Sequence, residues 1–431
     1  MKVYIETYGC RMNICDSEVI LSILSSSGHV HVQDIKQADV IILNCCSVRE
    51  IGHERTFERL SSLAMEGLSE RKIVVAGCFA TQLDKSVFDT FPFIDIVIGP
   101  DSYRKLPLLL KADNGSNVIV KESLPGEMYS DIVPVRDIED KTTAAITVMK
   151  GCNQYCSYCI EPYTRGKESS RDIQSIIAGS LRIQDKGYKE LTLVGHIIDR
   201  YEYGFATLLD HVAKACPGLR VKFLSSHPLT FSDGIAGVIA KNNNIMRVVH
   251  LPLQSGSDEV LTRMNRGYKV SDFKNRIRRI REIVPDIKIV TDIMTGFCGE
   301  TESDFQDTLQ IIEELRFDDI NAFCFSMRKG TSASKRYVDD VPEDVKRKRY
   351  EEVISLRDSI KVEKYETEIG HTIKVFNEGA WYKNPSLGYG RDYYLRTITY
   401  QNNPGIPINQ EVRVKVLSVD AHSLFGEIVE Q

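Results

Sequence analysis

Three cysteines fall within eight residues in MKGCNQYCSYCIE (residues 149–161): Cys152, Cys156 and Cys159. A C-x3-C-x2-C loop after the strand-like run TAAITVM can lay three thiolates on three irons of a [4Fe–4S] cubane, which usually takes four cysteines. With three protein ligands one iron keeps an open position, the same logic that separates catalytic from structural zinc sites. Structural zinc prefers paired C-x2-C elements and four ligands, and the chain has no partner pair of that spacing. The spacing favours the cluster.

Three further cysteines close strand-like runs: Cys10 in ETYGCRMN, Cys46 in LNCCSVRE and Cys78 in VVAGCFA. In an open parallel sheet the C-terminal ends of neighbouring strands converge on one crevice. Three thiols distant in sequence are therefore expected to meet at one sheet edge, a second three-thiolate site. One cysteine at a strand end is an ordinary small hydrophobe; three at equivalent ends form a pattern. Cys15, Cys216 and Cys324 have no such partners and are expected to pack in the interior.

The elements that must position these thiols alternate in type. KVYIETYG, ADVIILNC, KIVVAGC and DIVIG are short apolar strands, with helical DSEVILSILSSSG and HERTFERLSSLAMEGL between them. This predicts an open parallel α/β sheet over residues 1–115. Residues 116–140 are polar and turn-rich and read as a linker. From 141 to 370, ELTLVG, RVKFLSS, RVVHLPL, KIVTDIMTG and INAFCFS alternate with helices such as SDFKNRIRRIREIV and ESDFQDTLQIIEEL, predicting a partial (βα)6-type barrel. A long charged helix ends this region. Residues 371–431 carry short strands separated by Gly, Pro and Asn, the texture of a small all-β barrel.

At 431 residues the chain is too long for one ordinary core. It has no apolar run of signal-peptide or membrane-span length, so a cytoplasmic location is expected, where thiols stay reduced and serve metals or catalysis rather than disulfides. A net charge of −5 excludes a general polyanion binder, so any nucleic acid must be met by local patches.

C-x3-C-x2-C with an aromatic residue before the last cysteine, here Tyr158, resembles the signature of radical S-adenosylmethionine (SAM) enzymes. TYGCRMNICDSE, NCCSVRE, GCFATQL and IGPDSYRKLP are similar to the N-terminal domain of the methylthiotransferases. KGCNQYCSYCIEPYTRGKESSR, HLPLQSGSDEVLTRMNRGY and GFCGETESDF are similar to their radical domain, and the terminal β module to their TRAM domain. The resemblance implies an open iron that chelates SAM, reductive cleavage to a 5′-deoxyadenosyl radical, and Tyr158 near the adenine. It also implies a second, auxiliary [4Fe–4S] cluster on Cys10, Cys46 and Cys78, with Cys45 at the family's threonine position. One SAM would donate methyl and a second would supply the radical, with no catalytic residue beyond the two clusters. Gln254 and Ser255 are implied cofactor contacts, and Arg165, like Arg171, faces either a cofactor carboxylate or an RNA phosphate, with capping or salt bridging as the plain alternative.

Within that family MNICDSE, CSVRE, GPDSYRKLP and SSHP are most similar to the MiaB-type branch, which adds methylthio to C2 of N6-isopentenyladenosine-37 of tRNA. Other branches act on N6-threonylcarbamoyladenosine-37 or on an aspartate of ribosomal protein S12. The implied partners are a tRNA anticodon stem-loop and an electron donor such as flavodoxin or ferredoxin, with no membrane and a monomeric state. A different class, an RNA-binding protein with structural zinc, stays open on the residues alone.

Three departures stand out. VGHIIDRYEYG replaces a Gln-Asn-Val-Asn-Ser-Tyr-like segment after a barrel strand. Cys298 replaces proline in GFCGET. Residues 371–431 carry six Lys and Arg against six Asp and Glu, which weakens a phosphate-binding role for the β module. Arg276, Arg278, Arg279 and Arg281 wrap around their helix and read as surface, and KRKR at 346–349 reads as an exposed helix face. His250 reads as structural.

Overall fold

The structure is a computed structural model that describes residues 1–47, 50–112, 117–122, 126–136 and 142–430. Val48 and Arg49 of NCCSVRE, and parts of the stretch expected as a linker, lie outside the described residues.

The N-terminal strands β1 (Lys2–Tyr8), β2 (Val30–His31), β3 (Val40–Cys45), β4 (Lys72–Ala76), β5 (Ile94–Ile98) and β6 (Val118–Val120) form one parallel sheet in the order β2-β1-β3-β4-β5-β6. Val40–Leu43 of β3 and Ile73–Ala76 of β4 are continuous apolar runs because both faces are covered, as parallel sheets require. Ile41, Leu43, Ile73 and Val75 pack toward Leu60 and Leu63 of the helix Glu50–Met65. Val40, Ile42, Val74 and Ile96 pack toward Ile20 and Leu24 of the helix Arg11–Ser26. The sixth strand falls inside the stretch expected as a linker: Ile96, Val97 and Ile98 pair with Val118, Ile119 and Val120. The short apolar VIV reads as nothing on its own; β5 supplies its hydrogen-bond partners. Tyr129, further along, is buried against Tyr103.

The central strands β7 (Thr143–Thr147), β10 (Glu190–Val194), β11 (Arg220–Phe223), β12 (Val248–His250), β13 (Lys288–Thr295) and β14 (Asp319–Cys324) are parallel. They run as two three-stranded sheets joined by a parallel bridge between Val221 and Ile245, which gives the partial (βα)6 barrel. A small antiparallel ribbon, β8 (Met149–Lys150) with β9 (Ser169–Ser170), closes the base of the cysteine loop. The barrel core is built from Leu191, Leu193, Val221, Phe223, Val249 and Ile289 against the surrounding helices.

The C-terminal strands β15 (Thr372–Trp381), β16 (Asn384–Arg391), β17 (Thr397–Gln401), β18 (Glu411–Val419) and β19 (Leu424–Glu430) form a closed barrel in the order β15-β16-β17-β19-β18. It docks on the starts of β11 and β12. The Arg220 guanidinium lies 3.9 Å over the Phe376 ring, and the Tyr393 hydroxyl donates to the carbonyls of Asn243 and Ile245.

Two expectations are corrected. KRKR is only half an exposed face: in the helix Glu343–Glu366, Arg347 and Lys348 are exposed, but Lys346 and Arg349 are buried, Arg349 on Glu300 at 2.8 Å and Lys346 on Asp339 at 2.8 Å. The helix packs along β13 and β14, so its inward cations are paired rather than solvated. Cys324 is exposed at the end of β14 instead of packed inside.

Candidate active site

Cys10 occupies the N-cap of the helix Arg11–Ser26, immediately after β1; Cys46 follows β3 and Cys78 follows β4. Because β1, β3 and β4 are adjacent and parallel, these three ends share one edge. Two glycines allow the close approach. A Cβ on Gly9 would lie 2.7 Å from the Cys46 Cβ, and one on Gly77, at φ +92°, would lie 2.6 Å from the Cys45 carbonyl oxygen. A buried amide pair fixes the register: Asn13 Nδ2 donates to Asn44 Oδ1 at 3.2 Å, and Asn44 Nδ2 donates to the Asn13 carbonyl at 2.8 Å.

The thiols are electrically distinct. Hydrogen bonding with Cys46 lowers Cys10 to about 6, helped by the Asn13 N–H and by Arg165. Thiols at helix N-termini beside a cation behave this way. Burial pushes Cys78 upward, against the pull of Arg165. Arg165 donates from Nε to Cys78 Sγ at 2.9 Å and from Nη2 to Asp16 Oδ2 at 2.6 Å. Tyr103 donates its hydroxyl to the same Asp16 oxygen at 3.2 Å.

The second triplet is local. Cys152 donates its N–H to the Gly166 carbonyl at 3.1 Å, and Ser157 donates its N–H to the Met264 carbonyl at 2.9 Å. Gly151 sits at φ +75°, where a Cβ would lie 2.0 Å from the Lys167 carbonyl oxygen. Arg266, buried, donates to Cys156 Sγ at 3.3 Å, to the Tyr158 hydroxyl at 3.4 Å and to the Pro252 carbonyl at 3.0 Å. Gln154 donates its N–H to Cys152 Sγ at 3.4 Å. Burial raises Cys152 to about 11 and pushes Cys159 up as well.

The triplets are neighbours. Cys159 is followed by the one-turn helix Glu161–Thr164 and then by Arg165, so only the five residues 160–164 separate one triplet's last cysteine from the arginine whose guanidinium lies on the other triplet's Cys78. The Glu161 carboxylate acts on Cys10, Cys78 and Cys159 together, and it is held by His196 Nε2 at 2.8 Å. The domains close around this point, with Lys150 paired to Asp101 and with Met12 and Cys15 packed on Ala145 and Val194. Four non-glycine residues at this mouth carry positive φ: Tyr155, Ser225, Gln254 and Asn265. Such strain gathers at functional sites.

The other expected residues are placed as follows. Tyr158 packs with Phe297, Cys298 and Phe325, so Cys298 is part of that apolar cluster. Gln254 is at φ +78°, its N–H donating to the Asp292 carbonyl at 2.8 Å. The Ser255 hydroxyl is fully buried between the Ser257 N–H and Thr308. Arg171 is bound to Ser175 and to the Ser130 carbonyl. His250 pairs with Asp292 at 2.7 Å. Asn13, Asp16, Asn44, Glu161, His196 and Arg266 were not singled out by sequence reasoning. All lie inside the cysteine motifs or the segments that pack on them, but their types alone carry no signal. Among the described residues no three His, Cys, Asp or Glu side chains are grouped to hold a single metal ion.

Residues 2–99 match the uncharacterized protein family UPF0004, and residues 146–312 match the radical SAM superfamily. The chain is 37% identical over 440 residues to the tRNA-2-methylthio-N(6)-dimethylallyladenosine synthase of Parabacteroides distasonis, covering 100% of this chain and 96% of that protein. The synthase of the same name from Chloroherpeton thalassium is also 37% identical, covering 99% and 95%. The chain belongs to the methylthiotransferase family of radical SAM enzymes. Among solved structures, the radical SAM methyltransferase TsrM of Kitasatospora setae is similar in fold, with a TM-score of 0.56 at 13% identity over 74% of this chain and 72% of that one. As a radical SAM enzyme, this methylthiotransferase uses SAM and a [4Fe–4S] cluster. The C-terminal closed barrel is consistent with a TRAM domain. No helix among the described residues is long and apolar enough to cross a membrane.

Proposed function

We propose that this methylthiotransferase adds a methylthio group to C2 of N6-isopentenyladenosine-37 in tRNA, with Cys152, Cys156 and Cys159 holding the radical SAM cluster and Cys10, Cys46 and Cys78 holding an auxiliary [4Fe–4S] cluster. The observation that carries this reading is the juxtaposition of two three-thiol sets, each with a buried arginine on one sulfur, on either side of the helix Glu161–Thr164. The donor chemistry fits: each triplet is made of thiols alone, which suits iron–sulfur clusters. The near-full-length likeness to the dimethylallyladenosine synthases supports the choice of substrate.

When bound, the clusters and SAM supply the radical chemistry and the sulfur. The chain's residues do the rest. Gly9, Gly77 and Gly151 bring backbone and thiols to close quarters, and Asn13 with Asn44 holds the Cys10 strand end against the Cys46 strand end. Arg165 and Arg266 place positive charge where thiolates must be kept ionised and buried. The positive-φ residues Tyr155, Gln254 and Asn265 shape the mouth through which an unstacked base would enter, since base-modifying enzymes take the target out of its stack. The domain boundary at residue 370, a cytoplasmic location, a monomeric state and a flavodoxin or ferredoxin donor belong to the same proposal.

The test is an anaerobic assay on isopentenylated and threonylcarbamoylated anticodon stem-loops side by side, with nucleosides read by mass spectrometry. A mass gain of one methylthio group on the isopentenylated loop alone is the expected result. Gain on the threonylcarbamoylated loop alone, or on neither, overturns the substrate assignment.

A further inference from the structure

Arg165 belongs to the radical domain, six residues after Cys159, yet its side chain is spent on the other domain. It is 4% exposed. Its Nε donates to Cys78 Sγ and its Nη2 to Asp16, whose carboxylate also receives the Tyr103 hydroxyl. This makes a largely buried row of four groups, Tyr103–Asp16–Arg165–Cys78, that crosses the domain boundary twice, into Arg165 and back. A guanidinium so enclosed and occupied is out of reach of an RNA phosphate. Its geometry is that of an oriented donor to sulfur, held by a carboxylate as a metal-ligating histidine is held by one.

We propose that Arg165 is a positioning residue that sets the reduction potential of the auxiliary cluster from the neighbouring domain, acting through the N–H···S bond to Cys78. The inference rests on the reading that Cys10, Cys46 and Cys78 hold that cluster. Hydrogen bonds to cluster sulfurs and local net charge are among the determinants of iron–sulfur potentials. A donor on a ligating sulfur withdraws electron density, and a buried positive charge favours the more negative, reduced state, the more so in a low-dielectric interior. Both effects raise the potential. Asp16 opposes them: its negative charge partly offsets Arg165 while holding the guanidinium in line. The row therefore predicts shifts of opposite sign from its two charged members, Arg165 and Asp16. It also predicts that the potential depends on domain docking, because the donor and the ligand come from different domains.

The measurement uses the full chain with Cys152, Cys156 and Cys159 replaced by Ala, so that only the auxiliary cluster is present, reconstituted anaerobically. Iron and sulfide content are assayed first, then the midpoint potential by EPR-monitored redox titration. In this background R165Q is expected to move the midpoint to a more negative value and D16N to a more positive one. R165K keeps the charge but loses the fixed Nε–H, so it falls between R165Q and the parent. If the background itself binds no iron, the auxiliary-cluster reading fails. If it binds about four irons and R165Q leaves the midpoint unmoved, or R165Q and D16N move it the same way, the role of Arg165 is overturned while the cluster reading stands. Should R165Q lose its iron, D16N decides alone: a positive shift supports the proposal, and no shift or a negative one overturns it. Loss of packing by itself does not produce opposite shifts from adjacent residues.

Discussion

The two thiol triplets are assembled by different structural routes. Cys152, Cys156 and Cys159 come from a single loop, closed at its base by the β8–β9 ribbon and pinned along its length by the segment Arg263–Arg266. Cys10, Cys46 and Cys78 come from three strand ends and exist as a set only because β1, β3 and β4 are neighbours. Each set nevertheless receives one buried arginine from outside itself: Arg266 from beyond β12, and Arg165 from across the domain boundary. A local loop fixes its own geometry but must import charge. A dispersed set must import both.

The largest effect expected separates the sets outright. Replacing Cys152, Cys156 and Cys159 with Ala should lower iron from about eight to about four per chain and abolish both 5′-deoxyadenosine release and product. Replacing Cys10, Cys46 and Cys78 should lower iron by the same amount and abolish methylthiolation, with 5′-deoxyadenosine still released from SAM. Iron analysis and chromatography of the reaction decide. If either triple variant keeps all its iron, the assignment of that set is wrong.

The glycines test how each set is held. Gly151→Ala puts a Cβ into the Lys167 carbonyl at a φ that disfavours any side chain, and Gly77→Ala does the same against the Cys45 carbonyl. Backbone strain of about 1–3 kcal/mol adds to the steric overlap in each. Gly151→Ala should cost iron from the radical set and leave the other occupied, because the loop strains alone. Gly77→Ala should cost the auxiliary iron and also lower the melting temperature of the N-terminal sheet, since its clash is with a strand neighbour. Iron content and thermal unfolding of the two variants read this out, and equal losses from both sets would contradict the local-versus-dispersed distinction.

That distinction also explains what could be read from the sequence. Cys152, Cys156 and Cys159 were legible by spacing, since eight residues leave their thiols little choice. Cys10, Cys46 and Cys78 were legible one step later, through the rule that parallel strands end on one side, applied to the apolar runs VIILNC and KIVVA. Their stretches VIIL and IVVA are continuous because both sheet faces are buried. Arg165 and Arg266 were not legible in role. An arginine's sequence position says little about where a long side chain ends, and each meets its sulfur across long separations, with Asp16 and Cys78 both far from Arg165 in the chain. Lys346 and Arg349 misled for the same reason: a run of four cations looks solvated throughout until Asp339 and Glu300 are seen beside its first and last members. The strand Val118–Val120 was missed because three residues become a strand only by pairing with β5.

The smallest effect expected lies under the radical set and turns on pH. Arg266 rests against Tyr268, and the buried His227 packs edge-on to the same ring with centroids 5.6 Å apart. Burial lowers His227 to about 3, with Arg266 and Arg200 adding to it. Asp199, which accepts the His227 N–H at 3.1 Å and the Thr230 hydroxyl at 2.8 Å, is raised by burial to about 6. The signs oppose. A depressed histidine contributes stability that is full above its unfolded value near 6.5 and is lost as pH falls toward 3; a raised carboxyl contributes stability that is full below its unfolded value near 3.9 and is lost as pH rises through 6. Between pH 7 and pH 5 the histidine contribution should therefore fall by about 2 kcal/mol, while Asp199 regains roughly 1 kcal/mol as it takes up its proton. His227→Asn should remove the loss, and Asp199→Asn the partial recovery, so that the pH 5 to pH 7 difference in urea unfolding changes in opposite directions in the two variants. The same direction in both would mean that Asp199 and His227 are not the groups that titrate beneath Arg266.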